Sequence, residues 1–356
     1  MKICFLAPAN NYHTKKWCEY FISKGHEVHV ISFIDDTIKG ATVHYVDAHV
    51  NPNSSDLKKI KYLFYKRRIK KIVRSINPDI INAHYATSYG MIAVLCKFKY
   101  ILSIWGSDVY NFPKKSFIHK LYFKYLIKKP MCIFSTSKVM KDEIKKYTSK
   151  EIYITPFGVK MDLFNPNKKD NRYKAYFTIG TVKSLKEKYG IKYIIEAAAL
   201  LKSDINNIKV IIGGTGPKEL ELKKLAKEKN VDIDFLGSIS QEEASSIWAN
   251  LDVAVIPSID VSESFGVSVV EAQASEVPVI ITDVPGLLES TTKDSRIVVK
   301  RNSADEIKTA IKTLYDNKKL RTDLGKNGRK YVLKNYEYNN CFNYIESIFN
   351  KINNNK

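Results

Sequence analysis

Short apolar runs of strand length alternate with segments of helix length along almost the whole chain, and this alternation constrains the fold more than any other feature. The first repeat reads KICFLA, HTKKWCEYFISKG and HEVHVISF, and the same order continues to about residue 160. Strands that alternate with helices build parallel sheets with helices on both faces. The sequence therefore predicts an α/β fold made of doubly wound, Rossmann-like parallel sheets.

A polar, lysine-rich segment at residues 165–174, NPNKKDNRYK, interrupts this alternation, which restarts at AYFTIGTV. A chain of 356 residues also suits two domains better than one. We predict an N-terminal domain over residues 1–165, a C-terminal domain over 166–335 and a last helix within 336–356. Ligands of such sheets bind at the carboxyl ends of the strands, so the predicted site lies in the loops there.

Two glutamates eight positions apart, Glu263 and Glu271, lie between two apolar runs of strand length in the segment ESFGVSVVEAQASEVPVIITD. Ser262 or Ser264 is a candidate N-cap for a helix that begins near Phe265. Glu271 then falls in the apolar stripe of that helix, where a carboxylate is costly unless a hydrogen-bond donor satisfies it. The alternative is that Glu271 reaches solvent past a narrow apolar face.

The predicted helix start at Phe265, Gly266 and Val267 is suited to binding phosphate, because its N–H groups and the helix dipole favour an anion. At about 1.5 Å per helical residue, the two carboxylates would be on the order of 10 Å apart. That span suits a nucleotide-sugar. We predict that Glu263 binds the sugar hydroxyls, the helix start binds the diphosphate and Glu271 binds the ribose.

With seven residues between them and Phe-Gly after the first, the two glutamates resemble the signature of the retaining glycosyltransferases of family 4. The resemblance extends along nearly the whole chain. It implies the GT-B fold, in which two Rossmann-like domains face each other across a cleft and the last helix returns to the first domain. It also implies transfer from a UDP- or GDP-linked sugar with retention at the anomeric carbon and without a metal.

The retaining mechanism that the resemblance implies is a front-face reaction, in which the leaving diphosphate helps to deprotonate the acceptor hydroxyl. A double displacement instead needs a carboxylate nucleophile near the anomeric carbon. For that route Glu263 and Asp108 stay open as candidates.

The segment GTVKSLKEKYG resembles the donor-diphosphate motif of the family, with Lys183 where arginine is usual and Lys188 five residues later. Lysine keeps the charge and loses the bidentate fork of arginine. The resemblance implies that both lysines stabilise the leaving diphosphate, with Gly180 and Gly214 close to the nucleotide. The alternatives are two solvated lysines and an ordinary tight turn at Gly214.

The predicted first domain departs from the family at two motifs. After the first strand it has Asn11 and His13 instead of a glycine-rich loop, and Trp105 replaces the histidine of the His-Gly-x-Asp turn. We predict that Asn11 and His13 contact the donor. To replace the missing histidine we nominate His84 first and Asp108 second, because both follow predicted strands.

The formal net charge of +21 indicates an anionic partner. The segment Asp56–Ile76 predicts a helix on which apolar residues and cations share the exposed face, a pattern typical of surfaces that rest on anionic lipids. The predicted membrane or acceptor surface consists of Ile60, Leu63, Phe64, Arg67, Lys71 and Arg74. The segment KKSFIHKLYFKYLIKK is expected to add to it, and a solvated helix is the alternative.

Metal and disulfide chemistry are not indicated by the sequence. The five cysteines have no paired spacing, which fits a reducing cytoplasm, and Asp232 and Asp234 alternate as on a strand edge. No apolar run approaches 18 residues, so no membrane-spanning helix is predicted. We expect no cofactor.

The predicted function is transfer of a sugar from a nucleotide-sugar to a glycan or lipid-linked glycan in envelope polysaccharide synthesis. We expect a cytoplasmic protein that is peripheral to the inner face of the membrane and binds no nucleic acid. Two alternatives stay open. One is a GT-B nucleotide-sugar epimerase, and the other is a basic nucleic-acid-binding protein, for which no reader motif is present.

Overall fold

The computed structural model describes residues 1–48, 60–170 and 172–354, and the chain divides into two compact units. Unit 1 contains Met1–Phe157 and the C-terminal residues from Asn339, and unit 2 contains Gly158–Tyr338. Each unit is built on one parallel sheet, with seven strands in unit 1 and six in unit 2 among the described residues. The prediction of two α/β units with parallel sheets is confirmed.

The sheet of unit 1 has the strand order β3-β2-β1-β4-β5-β6-β7. Its strands are β1 Lys2–Leu6, β2 Glu27–Ser32, β3 Thr42–Tyr45, β4 Ile80–His84, β5 Ile101–Ile104, β6 Ile133–Ser135 and β7 Ile152–Ile154. Its helices are α1 Tyr12–Ser23, α2 Lys66–Ile76, α3 Met91–Cys96, α4 Ser107–Tyr110, α5 Phe117–Ile127 and α6 Lys138–Lys145, with the last helix, Tyr338–Asn354, named α14 below.

The direction of each connection decides the face on which its helix lies. The chain passes through α1 from β1 toward the β3 edge, whereas α2, α3 and α5 lie on connections that run toward the β7 edge. Right-handed crossovers in opposite directions place their helices on opposite faces of a sheet. Ile69 of α2, Ile92 of α3 and Phe123 of α5 accordingly share one buried core. These three helices therefore cover the same face.

The opposite face of the unit 1 sheet is covered by α1 and α14 through an aromatic core. The ring of Trp17 lies edge-on to Phe342 of α14 at 5.6 Å, and Phe21 stacks on Phe349 at 5.1 Å. At the edge of this aromatic core, the Tyr20 hydroxyl donates to the Glu346 carboxylate at 2.8 Å. Helix α14 is thus part of the core of unit 1.

The sheet of unit 2 has the order β10-β9-β8-β11-β12-β13. Its strands are β8 Phe177–Val182, β9 Ile208–Gly213, β10 Ile233–Phe235, β11 Val253–Ile256, β12 Val279–Thr282 and β13 Arg296–Val299. Its helices are α7 Lys192–Leu201, α8 Glu219–Glu228, α9 Gln241–Asn250, α10 Val267–Ala274, α11 Pro285–Glu289, α12 Ala304–Asp316 and α13 Lys318–Tyr336.

The chain passes into unit 2 at residue 158, before the predicted boundary at 165. The reason is a backbone contact, since the N–H of Val159 donates to the carbonyl of Tyr336 at the end of α13, at 2.7 Å. The segment 165–174, predicted as a linker, lies inside unit 2. There the N–H of Asp170 donates to the side chain of Asn250 at 3.1 Å.

The helix predicted over Asp56–Ile76 is formed in part. A 3-10 helix spans Ile60–Tyr65 and α2 follows it, while residues 56–59 and the side chains of Ile60 and Leu63 lie outside the described part. Helix α2 buries Ile69, Val73 and Ile76 against the sheet. Its outer face and the preceding turn expose Phe64, Arg67, Lys71 and Arg74.

Replacement of Phe342 by alanine is expected to destabilise unit 1 by about 3–5 kcal/mol, because it leaves a cavity in a fully buried aromatic core. Tyr344→Ala, on the same helix and 47% exposed, is the matched control and is expected to cost less than about 0.5 kcal/mol. Urea unfolding followed by tryptophan fluorescence measures the difference. Equal losses would show that α14 does not stabilise this core.

Candidate donor-binding site in unit 2

The candidate site lies where the neighbouring strands β8 and β11 end. Lys183 directly follows β8, and Glu263 lies in the loop after β11. Because parallel strands end at one edge of a sheet, the two loops meet there. The Lys183 ammonium contacts the Glu263 carboxylate, and their side chains are only 13% and 6% exposed. Two positions 80 residues apart thus form an almost buried ion pair.

The Glu263 carboxylate is fixed by its own loop as well. The Ser258 hydroxyl donates to its second oxygen, and the Thr282 hydroxyl donates to the Ser258 carbonyl at 2.5 Å. At Gly286, at the start of α11, a Cβ atom would lie 2.1 Å from the carbonyl oxygen of Glu263. Only a glycine lets α11 approach the loop this closely, so the backbone of Glu263 is held along with its side chain.

Both predicted lysines face this loop. Burial is the largest single effect and lowers the pKa of Lys183. The charge and hydrogen bond of Glu263, together with Tyr189 and Glu271, outweigh burial, so the pKa is raised above its ordinary value. The Lys188 ammonium lies 3.5 Å from the hydroxyl of Ser262. The ring of Tyr189 lies close to both ammonium groups. Its centre is 4.6 Å from Nζ of Lys183 and 5.0 Å from Nζ of Lys188. The two lysines therefore form one cationic cluster.

Helix α10 begins at Val267, after Gly266 as N-cap, and no side chain caps it. The serine N-cap predicted at Ser262 or Ser264 is wrong, because the helix begins beyond both serines and neither caps it. The N–H of Gly266 instead donates to the Ser290 hydroxyl at 3.2 Å. Within the described residues, the backbone N–H groups of Ser268 and Val269 have no acceptor. The helix thus presents two amide donors and the positive end of its dipole.

Glu271 is buried, with 7% of its surface exposed, because α10 is covered on all sides from Ser268 to Ala274. The alternative in which this glutamate reaches solvent is therefore wrong. The indole Nε1 of Trp248, a fully buried residue of α9, donates to the Glu271 carboxylate at 3.3 Å. The sequence analysis missed Trp248, since no spacing pattern links it to a glutamate 23 residues away.

The predicted glycines position backbone around Lys183. Gly214 has a φ of +126°, and a Cβ atom there would lie 2.1 Å from the carbonyl oxygen of Lys183. The N–H of Lys183 donates to the carbonyl of Gly213 at 2.9 Å. Gly180 lies inside β8, where a Cβ atom would be 2.0 Å from the carbonyl of Ile211 in β9. Gly214 therefore allows its turn to pack against the backbone of Lys183, and Gly180 allows β8 and β9 to pair.

In unit 1, His84 at the end of β4 is fully buried, 4.4 Å from the ring of Trp105. Neither ring nitrogen has a hydrogen-bond partner among the described residues, and burial, with a smaller effect of His13, lowers its pKa to about 3. His84 is thus neutral and has no exposed surface for a ligand. The ring of His13 stacks on Phe157 with 3.8 Å between the ring centres, and His13 is partly exposed. Because of this exposure, His13 is better placed than His84 to contact a ligand.

The other two candidates in unit 1 hold local structure. Asn11 is the N-cap of α1, and its side-chain oxygen accepts from the N–H of His13 at 2.8 Å. Asp108 is 3% exposed and accepts from the N–H groups of Ala86 at 2.9 Å and Gly106 at 3.2 Å. Burial raises the pKa of Asp108, and these hydrogen bonds lower it with a smaller effect. Asp108 thus joins the loops that follow β4 and β5.

The aspartates of the strand edge pair with a lysine. Lys209 contacts Asp232 at 2.7 Å and Asp234 at 2.8 Å. Within residues 1–48, 60–170 and 172–354, no group of three histidine, cysteine or acidic side chains is arranged to hold a metal ion. In the same part of the chain, no helix is long and apolar enough to cross a membrane.

Replacement of Lys183 by methionine is expected to lower the free energy of unfolding by about 3–5 kcal/mol, because it leaves the Glu263 carboxylate buried without its cation. The double variant Lys183→Met/Glu263→Gln is expected to recover part of that loss. The coupling is present at neutral pH and disappears as the pH rises through the raised pKa of Lys183. Urea unfolding of the double-mutant cycle between pH 7 and pH 11 measures it, and purely additive losses would contradict it.

Two family models match the chain. The model described as glycosyl transferase 4-like matches residues 2–137, and the model described as glycosyl transferases group 1 matches residues 165–331. The uncharacterized glycosyltransferase MJ1178 of Methanocaldococcus jannaschii is 27% identical over 336 residues, 92% of this chain and 90% of that protein. The capsular polysaccharide biosynthesis glycosyltransferase CapM of Staphylococcus aureus is 27% identical over 203 residues, 54% of this chain and 52% of that protein.

Among solved structures, Anabaena HepE in complex with UDP-glucose has the same fold, with a TM-score of 0.80. The alignment covers 99% of this chain and 100% of that one at 15% identity, so it speaks for the fold alone. The two family models cover most of both units, and the two parallel sheets agree with them. The chain belongs to the group 1, family 4-like glycosyltransferases and has their GT-B fold.

Proposed function

We propose that this glycosyltransferase is a retaining, metal-independent enzyme that uses a UDP- or GDP-linked sugar and glycosylates a hydroxyl of a glycan or lipid-linked glycan in envelope polysaccharide synthesis. One observation carries the proposal. Two almost buried carboxylates, Glu263 and Glu271, flank a helix start with two available amides and a neighbouring pair of lysines. The amides and lysines can donate hydrogen bonds to a diphosphate, and the carboxylates on either side can accept them from hydroxyl groups. A nucleotide-sugar has the same order of groups, with its diphosphate between the sugar and the ribose.

The diphosphate belongs at the start of α10. The amides of Ser268 and Val269 can donate to its oxygens, and Lys183 and Lys188 lie on the adjacent loop. The ribose hydroxyls belong at Glu271, whose carboxylate Trp248 orients. The sugar belongs at Glu263. The structure of HepE contains UDP-glucose, which is a ligand of this chemical class.

The same groups serve the reaction. Negative charge grows on the diphosphate as the glycosidic bond breaks, and fixed cations and amides stabilise it without reorganisation. Lys183 is already held by Glu263 and is kept protonated at neutral pH by its raised pKa. These lysines provide positive charge that a divalent metal provides in other transferases. This arrangement supports the metal-independent mechanism.

The environment of the carboxylates also supports the front-face route over a double displacement. Glu263 accepts from both Lys183 and Ser258, and Asp108 accepts from two backbone amides. Hydrogen bonds stabilise a carboxylate and reduce its strength as a nucleophile. In this mechanism the leaving diphosphate takes the proton of the acceptor hydroxyl.

The proposed acceptor is assembled at the cytoplasmic face of a membrane. CapM carries capsular polysaccharide biosynthesis in its name, which supports an envelope glycan. The exposed cations Arg67, Lys71 and Arg74 of α2, with Phe64 beside them, form a surface that suits anionic headgroups. The enzyme would then meet its lipid-linked substrate while peripheral to the inner face of the membrane.

A screen of UDP- and GDP-sugars for thermal stabilisation is expected to find a donor whose affinity falls about 10- to 100-fold in Glu271→Ala. The reason is the loss of hydrogen bonds between a charged acceptor and the ribose. Glu228→Ala, which removes an exposed glutamate of α8, is the matched control and is expected to bind like the wild type. A donor that binds wild type and Glu271→Ala with equal affinity would refute the placement of the ribose.

Slow hydrolysis of the stabilising donor is expected to continue at an unchanged rate in excess EDTA. The sugar first released is expected to keep the anomeric configuration that it had in the donor. Proton NMR during early turnover measures both, without a known acceptor. Loss of activity that added magnesium restores would contradict metal independence, and an inverted first product would contradict retention.

A further inference from the structure

Helix α5 of unit 1 exposes an unusual amount of apolar surface. Phe117 is 73% exposed, Ile118 76%, Leu121 51% and Tyr125 51%. Contiguous apolar surface of this kind marks an interaction site on most proteins that are otherwise well packed. The other side of the helix is ordinary, since Phe123, Leu126 and Ile127 are buried in the core. We call the exposed residues 117, 118, 121, 122 and 125 the α5 stripe.

The spacing of α5 separates three sectors of the helix. At 100° per residue from Phe117, the α5 stripe covers roughly 0° to 140° and the buried residues roughly 180° to 280°. Lys120 and Lys124 fall between them, at roughly 300° and 340°, and Lys128 follows at roughly 20°, at the edge of the stripe. Lys120 and Lys128 are exposed, and Lys124 is half-buried. A row of lysines therefore borders the stripe along its length.

The surroundings of the stripe are depleted in acidic residues rather than merely rich in lysine. Both units contain 29 lysines and arginines, but unit 2 has 25 acidic residues and unit 1 only 12. Unit 1 thus carries +17 of the total charge of +21. Between residues 60 and 146 there are 19 basic residues and four acidic ones, Asp79, Asp108, Asp142 and Glu143. Of these, Asp108 is buried.

These charges belong to one face of unit 1. Helices α2, α3 and α5 all cover the same side of the sheet, so the cations of α2 and the lysine row of α5 lie on that side. The 3-10 helix before α2 adds one exposed aromatic residue, Phe64, whereas α5 adds the whole stripe. The two helices therefore differ in character, since α2 is chiefly cationic and α5 is both apolar and cationic.

The geometry points to α5 as the element that inserts into an anionic lipid bilayer. The α5 stripe enters the boundary between headgroups and acyl chains, and Lys120, Lys124 and Lys128 bind lipid phosphates. The cations of α2 add long-range attraction without insertion. This inference rests on the proposed function in one respect, because a lipid-linked acceptor would require the enzyme to bind at the membrane.

Charge favours a bilayer over a second copy of the chain as the occupant. Two copies that paired through the stripe would bring two lysine rows together, with few carboxylates to balance them. An anionic bilayer supplies the missing negative charge and an apolar layer at the same time. Both features of α5 are then used by one partner.

Flotation of the full chain with vesicles tests this inference without donor or acceptor. The wild type is expected to bind vesicles of phosphatidylcholine mixed with phosphatidylglycerol and to bind phosphatidylcholine alone weakly. The variant Phe117→Ser/Ile118→Ser/Leu121→Ser is expected to lose more than about tenfold in partition, because apolar insertion is removed. The variant Arg67→Gln/Lys71→Gln/Arg74→Gln is expected to retain binding at high salt, where its missing cations matter little.

Leu220→Ser is the matched control, because Leu220 is 84% exposed on α8 of unit 2. This control is expected to bind vesicles like the wild type. The Tm of every variant is expected to lie within a few degrees of the wild-type Tm, since the changed side chains are exposed. Binding by the α5 variant equal to that of the wild type, or no binding to either vesicle, would overturn the inference. So would a dimer in lipid-free solution that the α5 variant abolishes. Nucleotide-sugar stabilisation is measured separately, so failure at the membrane and failure of the proposed reaction are distinguishable.

Discussion

Lys183 and Glu263 form an ion pair between loops that are 80 residues apart, and each charge depends on the other. Both side chains are almost completely removed from water, where a lone charge is costly. The pair therefore holds the loop after β8 against the loop after β11, and with it the segment that leads into α10. The distance from the lysine cluster to the helix start follows from this contact. A nucleotide-sugar would meet charges whose positions the fold has already fixed.

Close backbone packing supports the pair from both sides. The turn at Gly214 contacts the backbone of Lys183, and α11 contacts the backbone of Glu263 at Gly286, at distances that leave no room for a side chain. These glycines act on the site through the positions of neighbouring residues. A glycine at such a turn therefore need not touch a ligand, and the packing against Lys183 gives Gly214 a physical role beyond a tight bend.

The sequence predicts the features that depend on local patterns. The alternation of strands and helices gave both parallel sheets, and the helical spacing of Glu271 placed it correctly on a buried helix. Features that depend on distant contacts were not predictable. Trp248 reaches Glu271 from another helix, and the start of unit 2 depends on a backbone bond between Val159 and Tyr336. The predicted serine caps failed for a local reason, because α10 begins only after Gly266, beyond both serines.

The charge distribution separates the two units by chemistry. They contain equal numbers of basic residues, so lysine content by itself does not distinguish them. In unit 2 the lysines have acidic neighbours, as at Lys183 and Lys209, and their charge is balanced locally. In unit 1 acidic residues are scarce around α2 and α5, so the field of that face extends outward. A face of this kind suits an extended anionic partner, whereas the paired lysines of unit 2 suit a small anion that enters a fixed site.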